Sequence, residues 1–225
     1  MSVALSGKTP RGRRLSVLLV AAGVAGAAVL SLSMTNTFSA FTAAITNSVN
    51  TAASGTIILQ EINTGTGGAT CNSTDNTTIS VNAATCATIN KYGGSTVMVP
   101  TNAGGTTSVS TTNVTFKNTG TGTGQSFVLT PGACTQSVNG TPTGTATDFC
   151  TKLDVVVKSG ATVIYTGTAA GLAAGGAINL GALASVPAPG GAVVPFTFTV
   201  TVDNTAGNTY QNLAASQPLV WTLSS

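Results

Sequence analysis

The stretch VVPFTFTVTV, residues 193–202, constrains the fold more than any other part of the chain. Apolar side chains alternate with threonines here, so a β-strand would place Phe196, Phe198, Val200 and Val202 on one face. Similar alternation recurs at residues 109–116, 127–129, 153–157 and 219–223. Strict alternation is typical of sheets with one buried face, and two such sheets pack as a sandwich. The sequence therefore predicts an all-β fold, an antiparallel two-sheet β-sandwich.

Weaker signals fill the rest of the chain. Thr56–Leu59 and Thr78–Val81 are short apolar or β-branched runs and predict strands. Ser159-Gly160 has the composition of a hairpin turn between two alternating runs. In Gly167–Gly191, glycine and proline argue against a helix despite the alanines, so we predict only a short strand around Ala177–Leu180.

The N-terminal region has the pattern of an export signal. A basic segment, residues 8–14, precedes an apolar run from Leu15 to Met34. Thr37 and Ser39 are small enough for the −3 and −1 positions of a cleavage site, which predicts cleavage between Ser39 and Ala40. The alternative is an uncleaved anchor, because a run of about 20 residues can span a bilayer. Its many small residues favour cleavage, and we expect a secreted protein, extracellular or associated with the cell surface.

The rest of the chain carries little charge. Half of the eight Lys and Arg residues lie in the basic N-terminal segment, and charged residues make up 6% of the whole sequence. Nucleic-acid binding needs clustered cations, so the composition argues against it. The chain has no histidine, no GxSxG motif and only five scattered acids. These features predict a protein that is not an enzyme and uses no metal or other cofactor.

Four cysteines lie beyond the signal segment, in two closely spaced pairs. An even number of cysteines in an exported chain predicts disulfides. Four cysteines allow three connectivities, of which we favour Cys71–Cys86 with Cys134–Cys150 because each closes a short loop.

Several short motifs resemble the TasA/camelysin family of secreted biofilm-matrix proteins. Thr37–Phe41 is similar to the end of that family's signal peptide, and Ala53–Leu59 to its first strand. Thr112–Gly122 resembles a family strand that leads into an N-x-G turn. Pro189–Leu223, with Asn208-x-Tyr210-Gln211, resembles the closing region, and the cysteine pairs are similar to those of actinobacterial-type members. Residues 65–106 carry no resemblance.

The resemblance implies a jelly-roll-like sandwich and a fibre assembled by donor-strand exchange. It divides the chain into a signal helix and peptide (1–39), an N-terminal segment that can act as donor strand (40–53) and a sandwich domain (54–225). The donor segment would present Phe41, Ile45 and Val49, beginning at Ala40. The same spacing also fits one face of a short helix, and the segment could instead pack on its own domain. A protease activity described for some members does not carry over, because the chain lacks HExxH.

The expected function is that of a structural subunit in a biofilm-matrix or cell-surface fibre. Its implied partners are further copies of itself in a head-to-tail homopolymer, a signal peptidase of the SipW type during export, and matrix or cell-wall components. The alternative is a cell-surface adhesin or binding module that does not polymerise and uses its threonine-rich faces.

Overall fold

The computed structural model describes residues 51–65, 67–76, 81–94, 97–100 and 108–225. Within these residues the chain forms strands β1 Leu59–Asn63, β2 Thr70–Asn72, β3 Ser110–Asn118, β4 Ser126–Pro131, β5 Thr135–Val138, β6 Leu153–Ser159, β7 Thr162–Thr168, β8 Ile178–Asn179, β9 Val194–Val202, β10 Leu213–Ser216 and β11 Leu219–Ser224. Short α-helices occupy Ala169–Ala174 and Leu180–Leu183, and 3₁₀ turns occupy Phe149–Thr151 and Asn208–Tyr210. The predicted signal peptide and donor segment lie outside the described residues, as does most of the strand expected at 78–81.

The strands form two antiparallel layers. The first is a six-stranded sheet in the order β2-β1-β3-β9-β6-β7. The second contains a three-stranded sheet, β11-β4-β8, and a two-stranded sheet, β10-β5. The pairing of β5 with β10 continues that of β4 with β11 after an irregularity, because Pro131 pairs with Leu219 whereas Thr135 pairs with Ser216. The predicted all-β antiparallel sandwich is confirmed.

Aromatic side chains fill the space between the layers. From β9, Phe196 and Phe198 are at most 1% exposed, while the intervening threonines are only half-buried, as the alternation predicts. Phe127 on β4 meets Phe196 edge to face at a ring-centroid distance of 6.2 Å. Such edge-to-face pairs add stability beyond the burial of their area. The aromatic cluster thus holds the second layer against β3 and β9.

The segment between β7 and β9 differs from the prediction. The chain forms the helix Ala169–Ala174, which begins where the side chain of Thr168 accepts a hydrogen bond from the Gly171 N–H at 3.1 Å. Ala169 and Leu172 are buried, so tertiary packing outweighs the low helix propensity of glycine. The short strand expected here is present as β8.

The entry to β1 also differs from the prediction of a strand at Thr56–Leu59. Residues 56–58 run beside the loop after β3, where the Thr119 N–H donates to the Ile58 carbonyl at 2.9 Å and the Gly122 N–H to the Thr56 carbonyl at 2.7 Å. A side chain at Gly120 would collide with the Thr56 carbonyl oxygen. Regular strand pairing therefore begins only at Leu59, and β1 continues through the more polar residues Gln60–Asn63.

Candidate functional site

The two layers do not have the same width, and the difference leaves one edge of the second layer open. Trp221 on β11 lies over β3 and β9, with ring-centroid distances of 4.2 Å to Phe116 and 5.1 Å to Phe196. The first sheet continues past β3 to β1 and β2. In the described part of the chain, no strand of the second layer lies beside β11 on that side. Opposite β1 and β2 the described chain thus has no second-layer strand, although residues 82–86 and Lys91 border this space.

The backbone of β11 presents hydrogen-bonding groups to this position. The Gly132 N–H donates to the Pro218 carbonyl at 2.7 Å, which makes the even-numbered residues of β11 the ones that bond to β4. In an antiparallel pair the residues between them direct their N–H and C=O groups to the opposite side. Leu219, Trp221 and Leu223 therefore offer three donors and three acceptors along the open edge, which is the template for strand addition.

A cleft of about 510 Å³ lies along this edge, and we call it the strand cleft. Its apolar lining comes from both layers: Ile57, Leu59, Phe116, Leu219, Trp221 and Leu223. The Nε1 atom of Trp221 is buried without a hydrogen-bond partner among the described residues. A buried indole N–H without an acceptor is unusual, because leaving a donor unpaired costs about 1–3 kcal/mol. The cleft thus combines an apolar lining with donors and acceptors that have no partner.

The opposite rim of the strand cleft is already hydrogen-bonded. β2 pairs with β1 along Gln60–Ile62. Just before this pairing, the Leu59 N–H donates to the Ser73 Oγ at 3.0 Å, and the side-chain amide of Asn82 donates to the Ile57 carbonyl. Side chains therefore satisfy backbone groups where the chain enters β1, and β2 forms the edge of the first sheet on this side. The open backbone groups proposed for an added strand are those of β11.

An ion pair lies in the wall of the strand cleft. Lys91 Nζ and Glu61 Oε1 are 2.6 Å apart, and the two side chains are only 10% and 11% exposed. Burial raises the pKa of the Glu61 carboxyl above its usual value, and the nearby Lys91 ammonium offsets part of this increase. Loss of either partner would therefore leave the other charge buried without a counter-ion, which is strongly destabilising.

Both cysteine pairs lie at disulfide distance in the predicted connectivity. The Cα atoms of Cys71 and Cys86 are 6.2 Å apart, and those of Cys134 and Cys150 are 6.0 Å apart. The first pair belongs to the wall of the strand cleft. It ties β2 to residues 82–86, so this wall is covalently fixed on the first sheet.

The site residues predicted from sequence fall into two groups. The four cysteines are described and form two pairs, whereas Ser39, Ala40, Phe41, Ile45 and Val49 lie outside the described residues. Sequence reasoning placed Trp221 on the inner face of its strand but missed that it lines the cleft. It also missed Glu61 and Lys91 as residues of the cleft wall. Their contact could not be predicted from the sequence, because a long polar stretch separates the two residues.

Metal-holding groups and membrane-spanning helices are not found among the described residues. Their Cys, Asp and Glu side chains form no group of three or more that could hold a metal ion. No helix among them is long and apolar enough to cross a bilayer. No protein-family model matches the chain, and no curated protein matches it significantly.

Proposed function

We propose that the protein is a secreted structural subunit of an extracellular fibre in a biofilm matrix or on a cell surface. In this proposal the segment Ala40–Asn50 of one copy enters the strand cleft of the next and pairs with β11. The observation that carries the proposal is the open edge of β11 beside a cleft that is lined by apolar side chains. Each subunit would then be a donor and an acceptor, and such a head-to-tail contact need not close.

The donor segment has the length and pattern that this position requires. Its eleven residues, 40–50, would span about 36 Å when extended, whereas the six residues of β11 cover about 20 Å. In a strand, Phe41, Ile45 and Val49 would share one face because odd-numbered side chains point the same way. Thr42, Thr46 and Ser48 would face solvent. The segment contains no charge, glycine or proline, so it would place no unpaired charge in the cleft.

Export of the subunit is supported by the sequence and by the cysteine pairs. Disulfides persist mainly in oxidising compartments, and both pairs lie at disulfide distance. The resemblance to the TasA/camelysin family, with a SipW-type signal peptidase and matrix or cell-wall components as partners, agrees with this proposal. It rests on the short motifs described above.

Electron microscopy of two lengths of the chain tests the proposal. Protein beginning at Ala40 is compared with protein beginning at Ser54, both in negative stain and with the disulfides formed. We expect filaments only from the longer protein, with oligomers forming a linear ladder in size. Monodisperse particles from both lengths would contradict assembly by the N-terminal segment and favour the adhesin alternative.

A pair of matched variants tests which face of the donor segment is buried. Ile45→Asp would place a carboxylate in the strand cleft and should abolish filaments, because an unpaired buried charge is strongly unfavourable. Thr46→Asp adds the same charge on the opposite face and should leave filaments in place. Equal effects of the two substitutions would show that the segment does not enter the cleft as a strand.

A further inference from the structure

A second cavity lies away from the strand cleft, and we call it the end pocket. It has a volume of about 330 Å³, within the usual range for small-molecule sites. It is formed where the end of β9 and the start of β6 meet β10 and the residues before it. Its polar and aromatic lining includes Asn90, Tyr92, Asn139, Asn208, Tyr210 and Asn212.

The lining of the end pocket is polar but uncharged. None of its lining residues is a Lys, Arg, Asp or Glu. A phosphate, a carboxylate or a cation would therefore find no opposite charge there, and burial of a charge without a partner is costly. The pocket is also not simply apolar, because five of its lining residues carry side-chain amides: Asn90, Asn139, Asn208, Gln211 and Asn212. Its ligand should be uncharged and rich in hydrogen-bonding groups.

Two aromatic rings in the end pocket are held by their hydroxyl groups. The Tyr210 hydroxyl donates to Asp148 Oδ1 at 2.8 Å, and its ring lies 6.5 Å from that of Phe149. The Tyr92 hydroxyl donates to the side-chain oxygen of Gln217. Anchored, half-buried rings offer apolar faces with little conformational freedom left to lose on binding.

Amide side chains stand beside these rings. Asn212 has a left-handed backbone with φ of 50°, and its side-chain amide donates to the Pro142 carbonyl at 2.6 Å. The side chains of Asn139 and Asn208 are exposed and make no hydrogen bond within the described part of the chain. Each amide supplies donors and an acceptor together, which suits neighbouring hydroxyl groups.

We propose that the end pocket binds a neutral oligosaccharide. A sugar ring has an apolar C–H face that would stack on Tyr210 and hydroxyl groups that would bond to Asn139 and Asn208. Three features of the pocket favour this class of ligand: its uncharged lining, its anchored tyrosine rings, and its asparagine side chains that make no hydrogen bond within the described part of the chain. This binding does not depend on fibre assembly, because the end pocket shares no lining residue with the strand cleft.

Four neutral trisaccharides serve as probes: maltotriose, laminaritriose, cellotriose and tri-N-acetylchitotriose. Each is titrated into the exported, disulfide-bonded protein by calorimetry, with saturation-transfer NMR as an independent readout. We expect at least one to bind with a Kd in the millimolar range or tighter. Asn139→Ala and Asn208→Ala should each weaken that binding at least about fivefold, or about 1 kcal/mol. Asn204→Ala, an exposed asparagine outside the pocket, should not change it.

The tyrosine is tested separately from the fold. Tyr210→Phe keeps the ring but removes its hydrogen bond to Asp148 and should weaken binding only slightly, whereas Tyr210→Ala should abolish it; circular dichroism checks that both variants fold. The proposal is overturned if none of the four sugars binds at about 10 mM, where a millimolar Kd would be visible. It is also overturned if binding occurs but is unaffected by both asparagine substitutions.

Discussion

At the scale of single residues, Phe198 tests the core of the sandwich. Its side chain is fully buried beneath Trp221, at a ring-centroid distance of 6.2 Å. Phe198→Ala should lower the free energy of unfolding by about 3–5 kcal/mol, because it removes apolar contacts and leaves a cavity. Chemical denaturation measures the loss. Thr199→Ala, on the other face of the same strand, should cost less than about 1 kcal/mol, and equal losses would contradict the assigned faces.

The buried pair Glu61–Lys91 makes a prediction about pH. Lys91→Met leaves the Glu61 carboxylate buried without its partner, which should cost about 3 kcal/mol at neutral pH. Burial already raises the pKa of Glu61 in the folded protein above its ordinary value of 4.5, and loss of the ammonium should raise it further. The loss of stability is measured by denaturation at a series of pH values.

The direction of this pH dependence follows from proton binding. As the pH falls through the raised pKa of Glu61, the folded state takes up a proton before the unfolded state does. Stability of the Lys91→Met variant should therefore increase on acidification, over the interval between that raised pKa and about 4.5. The double variant Glu61→Gln/Lys91→Met should lack this increase. If the Lys91→Met variant were destabilised equally at every pH, the buried Glu61 carboxylate could not be the cause of its lower stability.

At the scale of elements, the open edge of β11 predicts an alternating pattern of hydrogen exchange. In the body starting at Ser54, the amides of Val220 and Thr222 bond to β4 and should exchange slowly. Those of Trp221 and Leu223 point to the strand cleft and should exchange faster. In assembled fibres both sets should be slow, because an added strand would bond the second set. Uniform protection in the isolated body would mean that β11 has a partner there already.

The strands that could be predicted from sequence are the ones buried on one face. β3, β4, β6, β9 and β11 carry apolar residues at every second position on their inner faces, and the Ser159-Gly160 turn lies between β6 and β7. β2, β5 and β10 were missed, since they are three or four residues long and have little apolar pattern. Their positions depend on partners that are distant in sequence. For β5, that partner is β10, which pairs Thr135 with Ser216.

At the scale of the whole molecule, the strand cleft is a property that no local pattern encodes. It results from a six-stranded sheet facing a narrower layer, and the number of strands in each depends on how the whole chain pairs. Sequence reasoning predicts a donor segment and the inward face of Trp221. The tertiary fold adds the strand cleft, with the Glu61–Lys91 pair in its wall.

The low charge of the whole chain predicts how a fibre would respond to solution conditions. Charged residues make up only 6% of the sequence, and half of the cations precede the predicted cleavage site. Because few charges are available for screening, filaments should persist in about 1 M salt, where the screening length is about 3 Å. Light scattering and electron microscopy before and after dialysis measure this. Disassembly by salt alone would show that charge pairs hold the subunits together.

The close passage of residues 56–58 over Gly120 has a consequence for the strand cleft. The chain crosses this glycine on its way into β1, and an added Cβ would collide with the Thr56 carbonyl oxygen. Gly120→Ala should therefore displace residues 56–58 and disturb the hydrogen bonds from the Thr119 and Gly122 N–H groups to Ile58 and Thr56. Because Ile57 lines the strand cleft, a single methyl group on this loop should change the shape of the cleft wall.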